Sequence, residues 1–265
     1  MKYITYIGLL MGAFVFLSLP SFAQGPPKGK GGFGKGDTIM AFSKFMKKGM
    51  VKDEGLFTTN KKKGKYYFEI PNDILGRESL IVSRFAGIVD GLSFGGAGMK
   101  SRPQQGIRWE RMEDKLLLRS VLYNNVASME KPIYESVRNN NFEPIVATFK
   151  IQANNEDKSG VIIEVNKLFE KDVPMIGALS DGQRKRFKVK GLDPSTSMIT
   201  SMKAFPENVE VKHILSYKAG ALPSRSPVNV LSLEMNQSMI LLPENPMRPR
   251  IFDERVGYFR VSQYD

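Results

Sequence analysis

The sequence predicts a mainly antiparallel β fold with short helices, arranged as a sandwich or an open barrel. Three observations lead to this prediction. Short segments rich in valine, isoleucine and aromatic residues recur along the chain, separated by glycine, proline and asparagine turns. Helical periodicity extends over only brief stretches. Hydrophobic residues make up 42% of the chain, which is enough to build a core.

The individual elements follow from local patterns. A lysine-rich turn that ends in Gly64 separates two apolar segments and predicts a β-hairpin. Glu113 and Asp114 separate two further segments in the same way. Short helices or helical turns are predicted at 37–50, 71–76, 132–138 and 166–170. The predicted strands, in chain order, are 56–59, 65–70, 79–85, 107–112, 115–123, 144–153, 159–165, 184–190, 197–203, 209–217, 228–235 and 239–242.

Composition divides the chain into five regions. Residues 1–23 have the pattern of a secretory signal peptide, and residues 24–36 form a flexible Gly/Pro/Lys linker. Residues 37–85 are predicted to form a small helix-plus-hairpin module, 86–105 a glycine-rich loop, and 106–265 an antiparallel β-rich domain. We therefore expect an exported protein, located in the periplasm, on the outer surface or outside the cell. We expect no membrane span in the mature chain.

Cysteine is absent, and histidine occurs once, as His213. The absence of cysteine excludes disulfides, thiolate metal ligands and thiol nucleophiles. A conventional protein zinc site would need carboxylates for nearly all of its ligands, since only one imidazole is available. We therefore expect this chain to hold no cofactor and no metal.

The formal net charge of +12 permits attraction to nucleic acid, anionic membranes or acidic polymers. The basic run at 184–190 predicts an exposed strand with a cationic outer face, because Phe187 and Val189 alternate with charged residues. This run lacks the interleaved glycines and aromatics of an RNA-binding strand, so we expect no nucleic-acid partner. A stand-alone exported protein that binds anionic envelope polymers stays open as an alternative function.

One short motif suggests a serine hydrolase. Residues 91–95 read Gly-Leu-Ser-Phe-Gly, which would make Ser93 the nucleophile and His213 its base. Asp172 or Asp193 would then supply the acid. The motif requires a tight turn from a strand into a helix, whereas glycines and a proline follow here and delay any helix. Serine hydrolysis is therefore the less favoured alternative.

The segment 239–259 is unusual because three prolines separate two strand-like parts. Charged residues are crowded between and after these prolines, and Asp253 and Arg255 are close enough in sequence to pair. We interpret the segment as an extended connection to a further domain. The residues expected to contact that domain are Arg248, Arg250, Asp253, Glu254, Arg255 and Tyr258.

Several stretches, taken in order, resemble a known family. They are DEGLFTTNKKKGKYYFEIP, LGRESLIVSR, RWER, LLLRSVLYNN, NFEPIVATFKI, FPENVEVKHILSY and SMILLPENPMRPRIFDERVGYF. Together they are similar to the non-catalytic N-terminal region of large exported bacterial zinc-dependent metalloproteases, a metzincin-like family. The resemblance extends from about residue 53 to the end of the sequence.

The resemblance implies a function that is shared between two domains. In that family a peptidase domain follows, in which a His-Glu-x-x-His helix holds zinc and supplies the general base. The sequence given contains no such motif, so no zinc ligand and no catalytic glutamate is assigned to any of its residues. The resemblance thus implies an accessory region, with zinc expected only in a downstream peptidase domain that is its partner in cis.

Overall fold

The structure, a computed structural model, describes residues 39–46, 49–92, 95–223, 228–245, 247–248, 253 and 255. The predicted signal peptide and linker lie outside these residues. Within these residues the α-helices are α1 (Phe42–Phe45), α2 (Tyr134–Asn140), α3 (Asn166–Phe169) and α4 (Asp181–Arg186). The strands are β1 (Val51–Asp53), β2 (Thr58–Lys62), β3 (Lys65–Pro71), β4 (Glu78–Gly87), β5 (Gln105–Met112), β6 (Lys115–Val121), β7 (Ile145–Asn154), β8 (Gly160–Glu164), β9 (Val189–Leu192), β10 (Met198–Ala204), β11 (Asn208–Ala219) and β12 (Val230–Leu241).

The strands form one antiparallel sheet, which confirms the predicted mainly β fold with short helices. Their order is β1-β2-β3-β8-β7-β6-β5-β4-β12-β11-β10, and β9 also pairs with β11. The hairpins β2–β3, β5–β6 and β7–β8 join neighbours in sequence, whereas β3–β8 and β4–β12 join distant parts of the chain. None of the described helices is both long and apolar enough to cross a bilayer.

The N-terminal hairpin predicted as a separate module belongs to this same sheet. Strand β3 pairs with β8, and β4 lies between β5 and β12. The described residues from Ile39 onward therefore form one compact unit. The glycine-rich loop lies between β4 and β5, close to its predicted bounds.

The two edges of the sheet, β1 and β10, approach each other, but they do not pair as strands. The Leu56 amide donates to the Phe205 carbonyl at 2.7 Å, and the Ala204 amide donates to Oδ2 of Asp53 at 3.0 Å. Gly55 permits this approach, because a Cβ atom there would lie 2.5 Å from the Phe205 carbonyl oxygen. The sheet is therefore an open barrel whose edges are held together by a few hydrogen bonds.

A chain of aromatic rings occupies the space inside this curved sheet. Trp109 is fully buried, with its ring centroid 6.3 Å from that of Phe57 and 5.7 Å from that of Phe149. Phe68 lies 5.5 Å from Phe57 and 6.0 Å from Phe169, which follows β8 in α3. These rings come from β3, β5, β7 and the segments beside them. The core therefore joins the half of the sheet that contains β3 and β7 to the half that contains β5.

The basic run at 184–190 is not the exposed strand that its alternation predicted. Its first residues lie in α4, which begins after the N-cap Ser180, and β9 starts only at Val189. Ser180 and Gln183 form a capping box, in which each side chain accepts a hydrogen bond from the other residue's backbone amide. Phe187 follows the helix and is buried, so it anchors α4 to the sheet. The capping residues therefore determine the local structure, and the alternation of charged and apolar residues does not.

This capping box gives a first testable expectation. We expect Ser180→Ala to lower the free energy of unfolding by about 1 kcal/mol, because the backbone amide of Gln183 loses its acceptor, the Ser180 hydroxyl. Urea denaturation followed by circular dichroism measures this change. Ser195→Ala is a suitable control, since the Ser195 hydroxyl donates to Asp193 in an exposed turn and caps no helix. Equal stability of Ser180→Ala and the parent protein would contradict the role assigned to the cap.

Candidate functional site

A row of charged side chains crosses three neighbouring strands on the outer side of the sheet. Glu78 of β4 pairs in register with Arg108 of β5, which pairs in turn with Arg119 of β6. Residues paired in this way project from the same side of a sheet. The next residues along β5, Ile107 and Trp109, are buried in the core, so the charged row lies on the opposite side.

The connection between β6 and β7 passes over this row. It contains α2 and lines, together with the sheet, an open cavity of about 790 Å³. Strands β4 to β6 contribute Glu78, Arg108, Glu110 and Arg119 to the wall. The connection contributes, among others, Tyr123, Asn125, Arg138, Asn139, Phe142 and Glu143. The cavity has the size of a typical ligand site and contains several convergent polar groups.

Ion pairs hold the two arginines of the row. Arg108 donates to Oε1 of Glu78 at 2.7 Å and to Oε1 of Glu143 at 2.6 Å, so it joins the sheet to the covering connection. Arg119 donates to Glu110 and also to the Glu143 carbonyl at 2.8 Å. The ring of Phe142 lies 5.0 Å from the Arg119 guanidinium carbon. These contacts fix the connection in place over the sheet.

Tyr123 completes the network from the side of the connection. Its hydroxyl donates to Oε2 of Glu78 at 2.7 Å. Burial raises the pKa of Tyr123, and the hydrogen bond to Glu78 raises this pKa further, because a phenolate would lie beside a carboxylate. Tyr123 therefore stays protonated at neutral pH and acts as a hydrogen-bond donor.

The charges that line the cavity balance. The cations Arg108, Arg119 and Arg138 are matched by the carboxylates of Glu78, Glu110 and Glu143. Within the part of the chain that the structure describes, no group of three or more His, Cys, Asp or Glu side chains is arranged to hold a metal ion. The remaining polar groups of the wall are mainly amides and hydroxyls, which both donate and accept hydrogen bonds.

Exposed apolar side chains lie on the β6–β7 connection. Leu122, Tyr123 and Phe142 line the cavity, and Phe142 is 71% exposed. Met129, Ile133 and Ile145 are exposed at other positions of the connection or at its end. Single exposed apolar residues are ordinary, whereas a cluster of this kind beside a cavity is typical of a binding surface.

The structure places the residues of the proposed hydrolase in unsuitable surroundings. Ser93 lies outside the described residues. His213 is fully buried on the inner side of β11, where its Nε2 lies 3.0 Å from Nε2 of Gln237. Asp172 accepts two hydrogen bonds from Arg184, and Asp193 accepts from Ser195. A histidine sealed in the core has no access to a substrate in solvent, so this geometry does not favour the serine hydrolase.

The charged cluster predicted near the C-terminus is described in part. Arg255 donates to both carboxylate oxygens of Asp253, with the Nη2 to Oδ2 distance at 2.6 Å, and its side chain remains 88% exposed. Arg248 is also exposed. Arg250, Glu254 and Tyr258 lie outside the described residues. The pair Asp253–Arg255 is thus formed on the surface, where a guanidinium is accessible to a partner.

Comparison with known proteins places the chain in a family. Residues 98–265 match the family model described as "Domain of unknown function (DUF5117)", and residues 39–88 match the one described as "Domain of unknown function (DUF5118)". The boundary between the two matches falls in the glycine-rich loop between β4 and β5. Searches of curated proteins and of solved structures returned no match. Since the first match covers more than half of its length, the chain belongs to the DUF5117 family.

Proposed function

We propose that this chain is the accessory, non-catalytic region of an exported zinc-dependent metalloprotease. The proposal rests on one observation, the positions in the fold of the stretches that resemble that family. They contribute to nine strands of the sheet, namely β1 through its last residue, β2, β3, β4, β5, β6, β7, β11 and β12. Four of the same stretches supply Glu78, Arg108, Glu110, Arg119, Tyr123, Phe142 and Glu143 to the cavity. The stretches that resemble the family thus supply both strands of the common sheet and residues that line the cavity.

In this proposal the chemistry belongs to the downstream peptidase domain. That domain supplies the zinc ligands and the general base, while the present chain packs against it and shapes access to its cleft. The segment after β12 leads toward the peptidase domain, and the exposed Arg255, held by Asp253, lies on that segment. A planar guanidinium held by a carboxylate is suited to bind a further carboxylate or a carbonyl of a partner.

Reading the coding sequence downstream of residue 265 tests the proposal. We expect a His-Glu-x-x-His motif within a few hundred codons, after allowance for a frameshift. A downstream sequence without that motif would remove the basis for a peptidase partner in cis.

Replacement of Arg255 tests the proposed docking surface. We expect Arg255→Ala to weaken association with the separately produced peptidase domain about tenfold, because an exposed arginine at an interface often contributes strongly to binding. Thermal unfolding of the variant alone should match that of the parent protein, since the side chain lies at the surface. Titration calorimetry measures the affinity.

Arg186→Ala is the matched control for Arg255→Ala, because Arg186 is an exposed arginine in α4, outside the segment after β12. We expect its affinity for the peptidase domain to equal that of the parent protein. If Arg255→Ala lowers stability and docking to the same extent, the segment belongs to the core and not to an interface.

A further inference from the structure

We propose that the cavity under the β6–β7 connection binds an extended, uncharged stretch of peptide that carries apolar side chains. The proposal goes beyond the accessory role described above, and it can be tested on this chain alone. It rests on the volume of the cavity, the balance of its charges, the chemistry of its polar groups and the apolar residues around it.

The balance of charge argues against a charged ligand. Arg108 is held by Glu78 and Glu143, and Arg119 by Glu110. An anionic polymer would have to compete with these carboxylates for arginines that are already paired, and it would meet their negative charge. A cationic ligand would meet the paired arginines in the same way. A neutral ligand avoids both costs.

The polar groups of the wall suit a peptide backbone. An extended peptide presents amide donors and carbonyl acceptors in alternation, and asparagine side chains offer the complementary pair. Asn139 has no side-chain hydrogen-bond partner among the described residues, while Asn125 donates to Oδ1 of Asn141 at 2.9 Å. Asn139 is exposed, so its amide is accessible to a peptide backbone.

The apolar residues around the cavity favour a peptide over a sugar. Sugars are recognised mainly by flat aromatic rings, which bind their apolar faces. Here the aliphatic side chains Leu122, Val126 and Val137 line the cavity together with Tyr123 and Phe142. Branched aliphatic side chains offer apolar contact without the flat surface on which a sugar ring stacks. The surface is therefore suited to several apolar peptide side chains in succession.

Fluorescence anisotropy of the purified protein tests the proposal. The probe is a fluorescein-labelled unstructured peptide of about ten residues, built from serine, glycine, valine and leucine. We expect saturable binding in the micromolar to millimolar range, about tenfold weaker in Leu122→Asp and in Asn139→Asp. Both variants place a carboxylate at a position that is exposed, so they should fold. Circular dichroism and thermal unfolding verify this.

Met198→Asp is the matched control, because Met198 is a similarly exposed apolar residue on β10, away from the cavity. We expect it to bind the probe like the parent protein. Hydrogen exchange should also slow in residues 122–145 when the probe is bound. Absence of saturable binding up to millimolar peptide would overturn the proposal. So would equal binding by all variants, or tighter binding of a poly-glutamate peptide or a neutral oligosaccharide than of the probe.

Discussion

Replacing Trp109 by alanine should lower the free energy of unfolding by about 3–5 kcal/mol, the largest effect that we expect from any single substitution in this chain. Trp109 is fully buried, and its ring lies between Phe57 and Phe149 in the chain of aromatic contacts inside the sheet. Truncation removes a large buried apolar area and leaves a cavity that the surrounding strands fill only in part. Urea denaturation followed by far-ultraviolet circular dichroism measures the loss.

Met129→Ala provides the comparison at the surface. Met129 is 80% exposed, so its truncation should change stability by no more than about 0.5 kcal/mol. Trp109 is also the only tryptophan in the chain, so fluorescence excited selectively at tryptophan reports on the surroundings of this one ring in β5. Coincident fluorescence and circular dichroism transitions are expected if the barrel unfolds as one unit. Separate transitions, or a Trp109→Ala loss as small as that of Met129→Ala, would show that the two halves of the sheet do not share this core.

The sequence predicted the strands better than it predicted their partners. Hairpins such as β2–β3 and β5–β6 were predictable, because turn residues separate two apolar segments that are adjacent in sequence. The pairing of β3 with β8 and of β4 with β12 depends on residues far apart, and no local pattern identifies such partners. For this reason the N-terminal hairpin was predicted as a separate module, although its strands complete the common sheet.

The cavity could not be located from the sequence for a related reason. Glu78, Arg108 and Arg119 alternate with buried residues, which is also the pattern of an ordinary solvated sheet face. What distinguishes them is the β6–β7 connection that covers them, and its predicted content was only a short helix. An available signal was the number of apolar residues in a polar connection, such as Leu122 and Phe142, because a simple surface loop has little need of them.

Lowering the pH should destabilise the protein through His213, the only histidine in the chain. Burial lowers the pKa of His213 from 6.5 to about 4, and the backbone of Phe169 offsets only part of this shift. Above pH 6.5 the imidazole is neutral in both the folded and the unfolded state, so it imposes no penalty. Between pH 6.5 and 4 the unfolded state binds a proton that the folded state does not, and stability falls. Below pH 4 both states are protonated, and the loss levels off at about 3 kcal/mol.

The hydrogen bonds around His213 explain why the folded state excludes the proton. Oε1 of Gln237 accepts from the Ser83 hydroxyl at 2.5 Å, and its Nε2 donates to the Ile176 carbonyl at 3.2 Å. The Ile176 carbonyl can only accept, so it fixes the amide orientation. Nε2 of Gln237 therefore also faces the ring as a donor, and Nε2 of His213 accepts. A proton on that ring nitrogen would oppose the N–H of Gln237, and turning the amide would place Oε1 of Gln237 against the Ile176 carbonyl. The neutral imidazole is therefore required by the packing between β4, β11 and β12.

His213→Gln separates this effect from the titration of carboxylates. Its side-chain oxygen can accept from Gln237 but cannot bind a proton near neutral pH. We expect the parent protein to lose about 2 kcal/mol more stability than the variant between pH 7 and pH 5, whatever the absolute stability of the variant at pH 7. Urea denaturation at several pH values measures both slopes, and the Cε1 proton resonance of the one histidine should not shift until the pH approaches 4. Parallel slopes, or a resonance that titrates near 6.5, would mean that the folded barrel admits the proton and that the Gln237 amide turns to accommodate it.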